Sequence, residues 1–288
     1  MITRPMLAAT IEDVSKLEYP LLATPKIDGI RCLVLGDGRV VSRTFKPIAN
    51  NFICKCLSSA SLRYLDGELV VGNNFQETSS GVMSIDGAPD FIYKVFDCWA
   101  HPEWSYIERL DELALFIGEH HFPCHQFLWP ERVDDEMQLQ MKMKTFLQEG
   151  YEGIMLRRAD APYKCGRSTL REGYLMKLKP FLDAEAVVTD FEERMHNANP
   201  ETADNFGLAK HSSCNAGMIP EDTLGALWVH HDIYGPFKIG SGFTDKERKD
   251  IWDNQDYFRG KVVTFKYQKH GMKDKPRCPV FKCWRKDI

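Results

Sequence analysis

Six short apolar runs, each carrying one or two charged residues, constrain this 288-residue chain more than any other feature. They are Lys26-Ile27-Asp28-Gly29-Ile30-Arg31, Leu65-Asp66-Gly67-Glu68-Leu69-Val70-Val71, Val95-Phe96-Asp97, Glu152-Gly153-Ile154-Met155, Leu175-Met176-Lys177-Leu178-Lys179-Pro180, and the basic end Trp284-Arg285-Lys286-Asp287-Ile288. Runs of this kind read as strands, and charges set into strands line sites built on sheets. The first run is the most pointed. Its lysine stands two residues before Asp-Gly and five before an arginine. A lysine amine becomes a nucleophile when its site favours the neutral form. Gly29 permits a tight turn, and Arg31 offers a rigid fork of donors to a phosphate or ribose.

Between these runs the chain alternates strands with a few helices. Strands are expected at 31–35, 39–42, 67–71 and 92–96. Helical patterns are expected at 111–117 and from Asp134 to Glu149, the latter stopped by Gly150. A domain boundary fits Pro180-Phe181, giving units 1–180 and 181–288, and two domains suit the length. In the second unit, strands are expected from Ala184 to Phe191, Leu224 to His230, Phe237 to Ile239 and Lys261 to Tyr267. A helix from Thr244 to Asp253 has Thr244 as its N-cap. Several short strands and one helix in such a length suit an OB-fold barrel. The stretch from Met195 to Thr223 lacks periodicity, and loops that long are functional or disordered.

Composition narrows the partners. Hydrophobic residues make up 43% and charged residues 27%, as in globular proteins. No apolar run is long enough to span a membrane, and the amino terminus is no signal peptide. The nine cysteines form no Cys-x-x-Cys pair, so neither a zinc module nor a disulfide framework is expected, and the chain reads as cytoplasmic. The net charge of −4 hides a segregation. Residues 259–288 hold ten basic and two acidic side chains, a net of +8, whereas 181–258 hold six and fifteen, a net of −9. Such a basic stretch, with Lys261, Lys266, Lys269, Lys273, Lys275 and Arg277, is suited to phosphates of nucleic acid. Val262-Val263-Thr264-Phe265 within it argues for a folded segment.

In this order, the six runs resemble the collinear motifs of the covalent nucleotidyltransferases, which include the ATP-dependent polynucleotide ligases and the mRNA capping enzymes. The similarity extends from Arg4-Pro5-Met6-Leu7-Ala8 to Ile288. Three further stretches resemble the short, phage-type DNA ligases: Tyr163-Lys164-Cys165-Gly166-Arg167-Ser168, Phe191-Glu192-Glu193 with Asn197-Ala198-Asn199-Pro200, and Gly207-Leu208-Ala209-Lys210. The resemblance implies an α+β nucleotidyltransferase (adenylation) domain with antiparallel sheets, followed by a small all-β OB-fold barrel. It implies a monomeric, magnesium-dependent enzyme (manganese substituting) that seals 5′-phosphate/3′-hydroxyl nicks in duplex DNA, in replication, repair and recombination. An RNA ligase, or a capping guanylyltransferase using GTP, is the alternative within the same superfamily. No additional amino-terminal DNA-binding domain is expected, and the compact form suits a virus or the bacterial cytoplasm.

Site roles follow from the resemblance. Lys26 attacks the α-phosphorus of ATP, helped by the neighbouring cations Lys177, Lys179 and Arg31. Phe96 stacks on the purine, Glu68 meets the ribose or a metal, and Glu152 meets a metal. Asp28 serves metal placement or the sealing step, and Arg43 touches the ribose or phosphate. Lys177 and Lys179 straddle phosphate oxygens. Arg285, with Arg277, belongs to the terminal motif that orients pyrophosphate. The chain departs from the family at Thr24, where most DNA ligases have Glu or Gln to read adenine. A threonine hydroxyl reaches less far, so backbone groups near Pro25 are expected to share that task.

Overall fold

The computed structural model of the chain describes residues 3–59, 62–119, 124–203, 209–212, 214–272 and 274–285. It divides into two units, Met1–Lys179 and Pro180–Ile288.

Alternation within the strands builds the first unit. In Leu65–Val71, Leu65 and Leu69 turn to an outer core, leaving Asp66 and Glu68 on the opposite face. The same split sends Cys32 and Val34 of Ile30–Val34 to that core, and Leu33 with Arg31 to the other side. These strands join a five-stranded sheet in the order Val40–Ser42, Ile30–Val34, Leu65–Val71, Phe91–Cys98, His125–Phe127, antiparallel except for the last pair. Helices Asn51–Leu57 and Phe75–Met83 cover its outer face through Ile53, Leu57 and Val82.

A second five-stranded sheet runs Ala9–Thr10, Met176–Leu178, Gly153–Arg157, Leu21–Lys26, Glu131–Val133. Its outer residues Leu21, Ala23, Ile154, Leu156 and Met176 pack on helix Glu136–Gln148 through Leu139 and Phe146. That helix is capped by Asp135 and followed by Gly150 at φ +85°. The inner faces of the two sheets meet over Met6, Leu33, Val41, Trp99, Tyr163 and Leu175. Gly153 has to be glycine: a Cβ there would lie 2.3 Å from the Leu178 carbonyl oxygen, inside the strand that carries Lys177.

The second unit is a five-stranded antiparallel sheet in the order Gly235–Ile239, Met218–His231, Leu182–Asn197, Val262–Gln268, Arg277–Trp284. Its core gathers Val188, Leu227, Val229, Ile239, Val263 and Phe265 with Ile251 of helix Asp245–Asp253. A full capping box, Thr244 with Glu247, starts that helix and stabilises it by about 1 kcal/mol.

Two expectations change here. Among the described residues, none of the sheets closes into a barrel. Ser241, two residues past strand Gly235–Ile239, makes one parallel bridge among them, to Val280 of strand Arg277–Trp284. Gly242, at φ +96°, still lies against that strand, where a Cβ would come 2.3 Å from the Phe281 carbonyl oxygen, but among the described residues no ladder follows. Nor is 195–223 one irregular loop. Strand Leu182–Asn197 pairs with Met218–His231 as far as Asn197 opposite Met218, and Glu201–Ala203 pairs with Ala209–His211 beyond. Three register shifts interrupt the long pair, which is why its sequence carries no clean two-residue period. Residues 204–208 and 213 lie outside the described residues, as do Lys273 and 286–288.

Candidate active site

Between the two sheets of the first unit lies an open cleft of about 190 Å³. Its lining includes Thr24, Pro25, Lys26, Arg31, Arg43, Glu68, Phe96 and Lys177. The cleft therefore gathers eight of the residues singled out from the sequence, contributed by segments scattered between residues 24 and 177.

Strand pairing places the lysine. Leu21–Lys26 runs antiparallel to Gly153–Arg157 with Lys26 opposite Gly153, and the Glu152 N–H donates to the Lys26 carbonyl at 3.1 Å. Their side chains consequently meet, Lys26 Nζ lying 2.6 Å from Glu152 Oε2. Lys179 Nζ donates to the other oxygen, Oε1. Burial pushes the Glu152 carboxyl up, but Lys26 and Lys179 outweigh it and hold it below the usual carboxylate value. Glu152 thus sits between two cations. Lys177, across from Met155 on the same sheet, faces the cleft, and burial together with Lys179, Lys26 and Arg167 holds its pKa below that of an ordinary lysine.

The opposite wall is acidic and aromatic. Arg31 grips Asp66 with two bonds, Nε to Oδ1 at 2.5 Å and Nη2 to Oδ2 at 2.6 Å, while Tyr163 donates to the same carboxylate at 2.5 Å. Glu68, opposite Arg31 in register, is pushed by burial to a pKa of about 7, against the opposing pull of Arg31 and Lys26. Gly29 gives this wall its closeness, since a Cβ there would lie 2.4 Å from the Leu69 carbonyl oxygen.

Phe96 reaches the cleft by a bulge. Asp66 stands opposite Asp97 and Gly67 opposite Val95, so Phe96 is the extra residue. Strict alternation would send Phe96 and Asp97 to opposite faces; the bulge lets both serve the inner one. Asp97 then binds Arg109, Nε to Oδ1 at 2.8 Å, and Arg157.

Other assigned residues lie elsewhere. Asp28 is half-buried in the turn after Lys26 and is not part of the cleft lining. In the second unit, Arg285 donates to Glu185 at 2.8 Å on an exposed surface. Arg277 donates to the His270 carbonyl, Lys261 lies 3.2 Å from the Tyr257 ring centroid, and Lys266 5.3 Å from that of Phe181. Lys269 and Lys275 fall in the segment joining strands Val262–Gln268 and Arg277–Trp284. The sequence reading overlooked Arg157 and Arg167, both in the cleft lining. Arg157 was visible by alternation, two residues beyond Met155 on one strand; Arg167 depends on the parallel pairing of Leu7 with it, which nothing local signals.

All nine cysteines are free thiols, and among the described residues no helix is long and apolar enough to cross a membrane.

Comparison with known proteins agrees with this arrangement. A family described as "ATP dependent DNA ligase domain" matches residues 5–179, and one described as "DNA ligase OB-like domain" matches 219–285. The chain is similar to a DNA ligase of African swine fever virus (isolate Pig/Kenya/KEN-50/1950), 32% identical over 58% of this chain and 43% of that protein. The match thus spans less than half the length of that viral relative. A DNA ligase of Haemophilus influenzae is 29% identical over 77% of this chain and 70% of its own. The crystal structure of the Chlorella virus DNA ligase-adenylate is 35% identical, with a TM-score of 0.59, covering 99% of this chain and 100% of that one. With the lysine, the basic cleft and the matched domain together, the chain belongs to the ATP-dependent DNA ligase family.

Proposed function

We propose that this protein is an ATP-dependent DNA ligase that seals 5′-phosphate/3′-hydroxyl nicks in duplex DNA. The observation that carries the reading is Lys26 at a cleft whose lining holds Arg31, Arg43, Arg157, Arg167 and Lys177, five cations suited to a triphosphate. In the first step Nζ of Lys26 attacks the α-phosphorus, a P–N bond forms, and the bond to pyrophosphate breaks. The amine must shed its proton before attack, and Glu152, at 2.6 Å, orients it. In the second step a 5′-phosphate oxygen of the nick attacks the same phosphorus, breaking the P–N bond and restoring Lys26. In the third the 3′-hydroxyl attacks the 5′-phosphate and AMP leaves. The relative from Chlorella virus is itself an adenylate, which supports the first step.

Phe96 supplies the platform for the purine, with Thr24 and Pro25 at its edge, and Arg31, Arg43 and Glu68 meet the ribose and phosphates. Lys177 lies against the phosphates; Lys179 holds Glu152 and through it Lys26. Asp28, beside the nucleophile in sequence, serves the sealing step. The residues that would hold magnesium are Glu68, which borders the cleft, and Glu152, whose two oxygens Lys26 and Lys179 share; both offer the hard oxygens that this ion takes. There Mg²⁺ (or Mn²⁺) would supply charge neutralisation on the transferring phosphate. Residues 1–180 form the adenylation domain and 181–288 the OB-like domain. In the latter, Lys261, Lys266, Lys269, Lys273, Lys275 and Arg277 bind the DNA backbone and Arg285 acts on the pyrophosphate. The enzyme works as a monomer.

The test is direct. The protein is incubated with Mg²⁺ and either α-labelled ATP or α-labelled GTP, and then with nicked DNA. Labelling by ATP, with label passing to the 5′-phosphate and sealing after it, is expected. Labelling by GTP alone would replace this reading with a capping guanylyltransferase.

A further inference from the structure

Asp66 and Asp97 are register partners on adjacent strands, and both are fully buried. Like charges facing each other across a ladder repel, so each needs its own counter-charge. Arg31 answers Asp66, and Arg157 with Arg109 answers Asp97. Arg31 and Arg157 then converge on one ring, their Cζ atoms 4.7 Å and 5.8 Å from the Phe96 centroid. Arg109 does not reach the cleft. It is wholly buried, with Nε and Nη2 on Asp97 and Nη1 on the carbonyls of Trp104 (2.6 Å) and Ala161 (2.9 Å). Tyr106, three residues earlier on helix Tyr106–Glu119, donates its hydroxyl to the Phe96 carbonyl at 3.1 Å, and Arg157 lies 4.4 Å from its ring centroid.

We propose that the first turn of helix Tyr106–Glu119, through Arg109 and Tyr106, positions the base subsite. This rests on the reading of Phe96 as the purine platform. Phe96 is the bulged residue, so no ladder partner fixes it. Its backbone is tied by Tyr106 and its ring is packed by Arg157, whose own direction is set by Asp97. Arg109 fixes the plane of that carboxylate with two bonds from one rigid guanidinium, which a lysine cannot reproduce. Arg109 and Tyr106 are positioning residues: they act on the nucleotide only through Phe96 and Arg157.

The experiment is a double-mutant cycle on self-adenylylation, read as a function of ATP concentration. Phe96→Leu and Arg109→Lys should each raise the half-saturating ATP about tenfold, with the rate at saturation changed less than about threefold. The double variant should be worse than Phe96→Leu alone by clearly less than the product of the two single effects, because the ring that Arg109 positions is gone and only Arg157 is left to it. Multiplied effects would mean that Arg109 supports the fold only, and would overturn the inference. If Phe96→Leu leaves the half-saturating ATP unchanged, the reading of Phe96 itself falls, and the inference with it. Should Arg109→Lys fail to fold, Tyr106→Phe goes through the same cycle. It removes a single oxygen; non-additivity with Phe96→Leu supports the inference and multiplication overturns it.

Discussion

Nζ of Lys26 lies 2.6 Å from Oε2 of Glu152, and Lys179 holds the other oxygen of that carboxylate. One buried carboxylate therefore serves two lysines. Removing either lysine leaves Glu152 one partner, whereas removing Glu152 leaves two cations facing each other.

Lys26→Ala is expected to abolish self-adenylylation while the protein stays folded, since Lys179 still pairs with Glu152. Labelling with ATP, alongside a thermal melt, checks both halves. Label on the variant at the wild-type level would remove Lys26 as the nucleophile.

Glu152→Gln keeps the size of the side chain and loses the charge between the lysines. Nick sealing should fall by about 10²–10³-fold, the scale for groups acting on the charge of a transferring phosphate. A variant sealing at the wild-type rate would make Glu152 a structural residue only.

Glu68 predicts a pH dependence. Burial raises its pKa from 4.5 to about 7, so between those values the folded state keeps a proton that the unfolded chain releases. Stability therefore falls as pH rises through this window and stays lower above it. Without nucleotide or metal, Glu68→Gln should melt about 2–4 °C above wild type at pH 8.5 and level with it near pH 4.5. A pH-independent difference between the two proteins would rule out this ionisation as its cause.

Arg285 pairs with Glu185 on an exposed surface, where ion pairs contribute little to stability. Arg285→Ala should keep the wild-type melting temperature, lose self-adenylylation, and seal a pre-adenylylated nick far better than it labels itself. Equal losses in the two assays would assign Arg285 to DNA binding instead.

If the basic stretch binds phosphates, Lys266→Ala and Lys275→Ala should each weaken binding to nicked DNA. Each should also reduce the slope of log affinity against log salt by about one. An unchanged slope would place those side chains away from the backbone.

The charged runs were legible because a strand's two-residue period is local: Leu65 and Leu69 on one side and Asp66 and Glu68 on the other follow from sequence alone. Helices Glu136–Gln148 and Asp245–Asp253 were equally plain, the first from its period and the stop at Gly150, the second from its cap Thr244. Helix Phe75–Met83, with Thr78, Ser79, Ser80 and Gly81 in its body, shows little helix propensity and is held by Asn74 and by packing of Val82. The tertiary structure decided the rest. The bulge at Phe96 exists only in register with Asp66 and Gly67, and Arg167 joins the cleft through its pairing with Leu7. Among the described residues, the sheet of the second unit stays open because Ser241 and Val280 make a single bridge that no ladder extends. Sequence determined which face a side chain takes wherever its strand alternates without a bulge, as in Leu65–Val71. Which strands become neighbours, and so which charges meet in the cleft, depended on long-range pairing that no local pattern encodes.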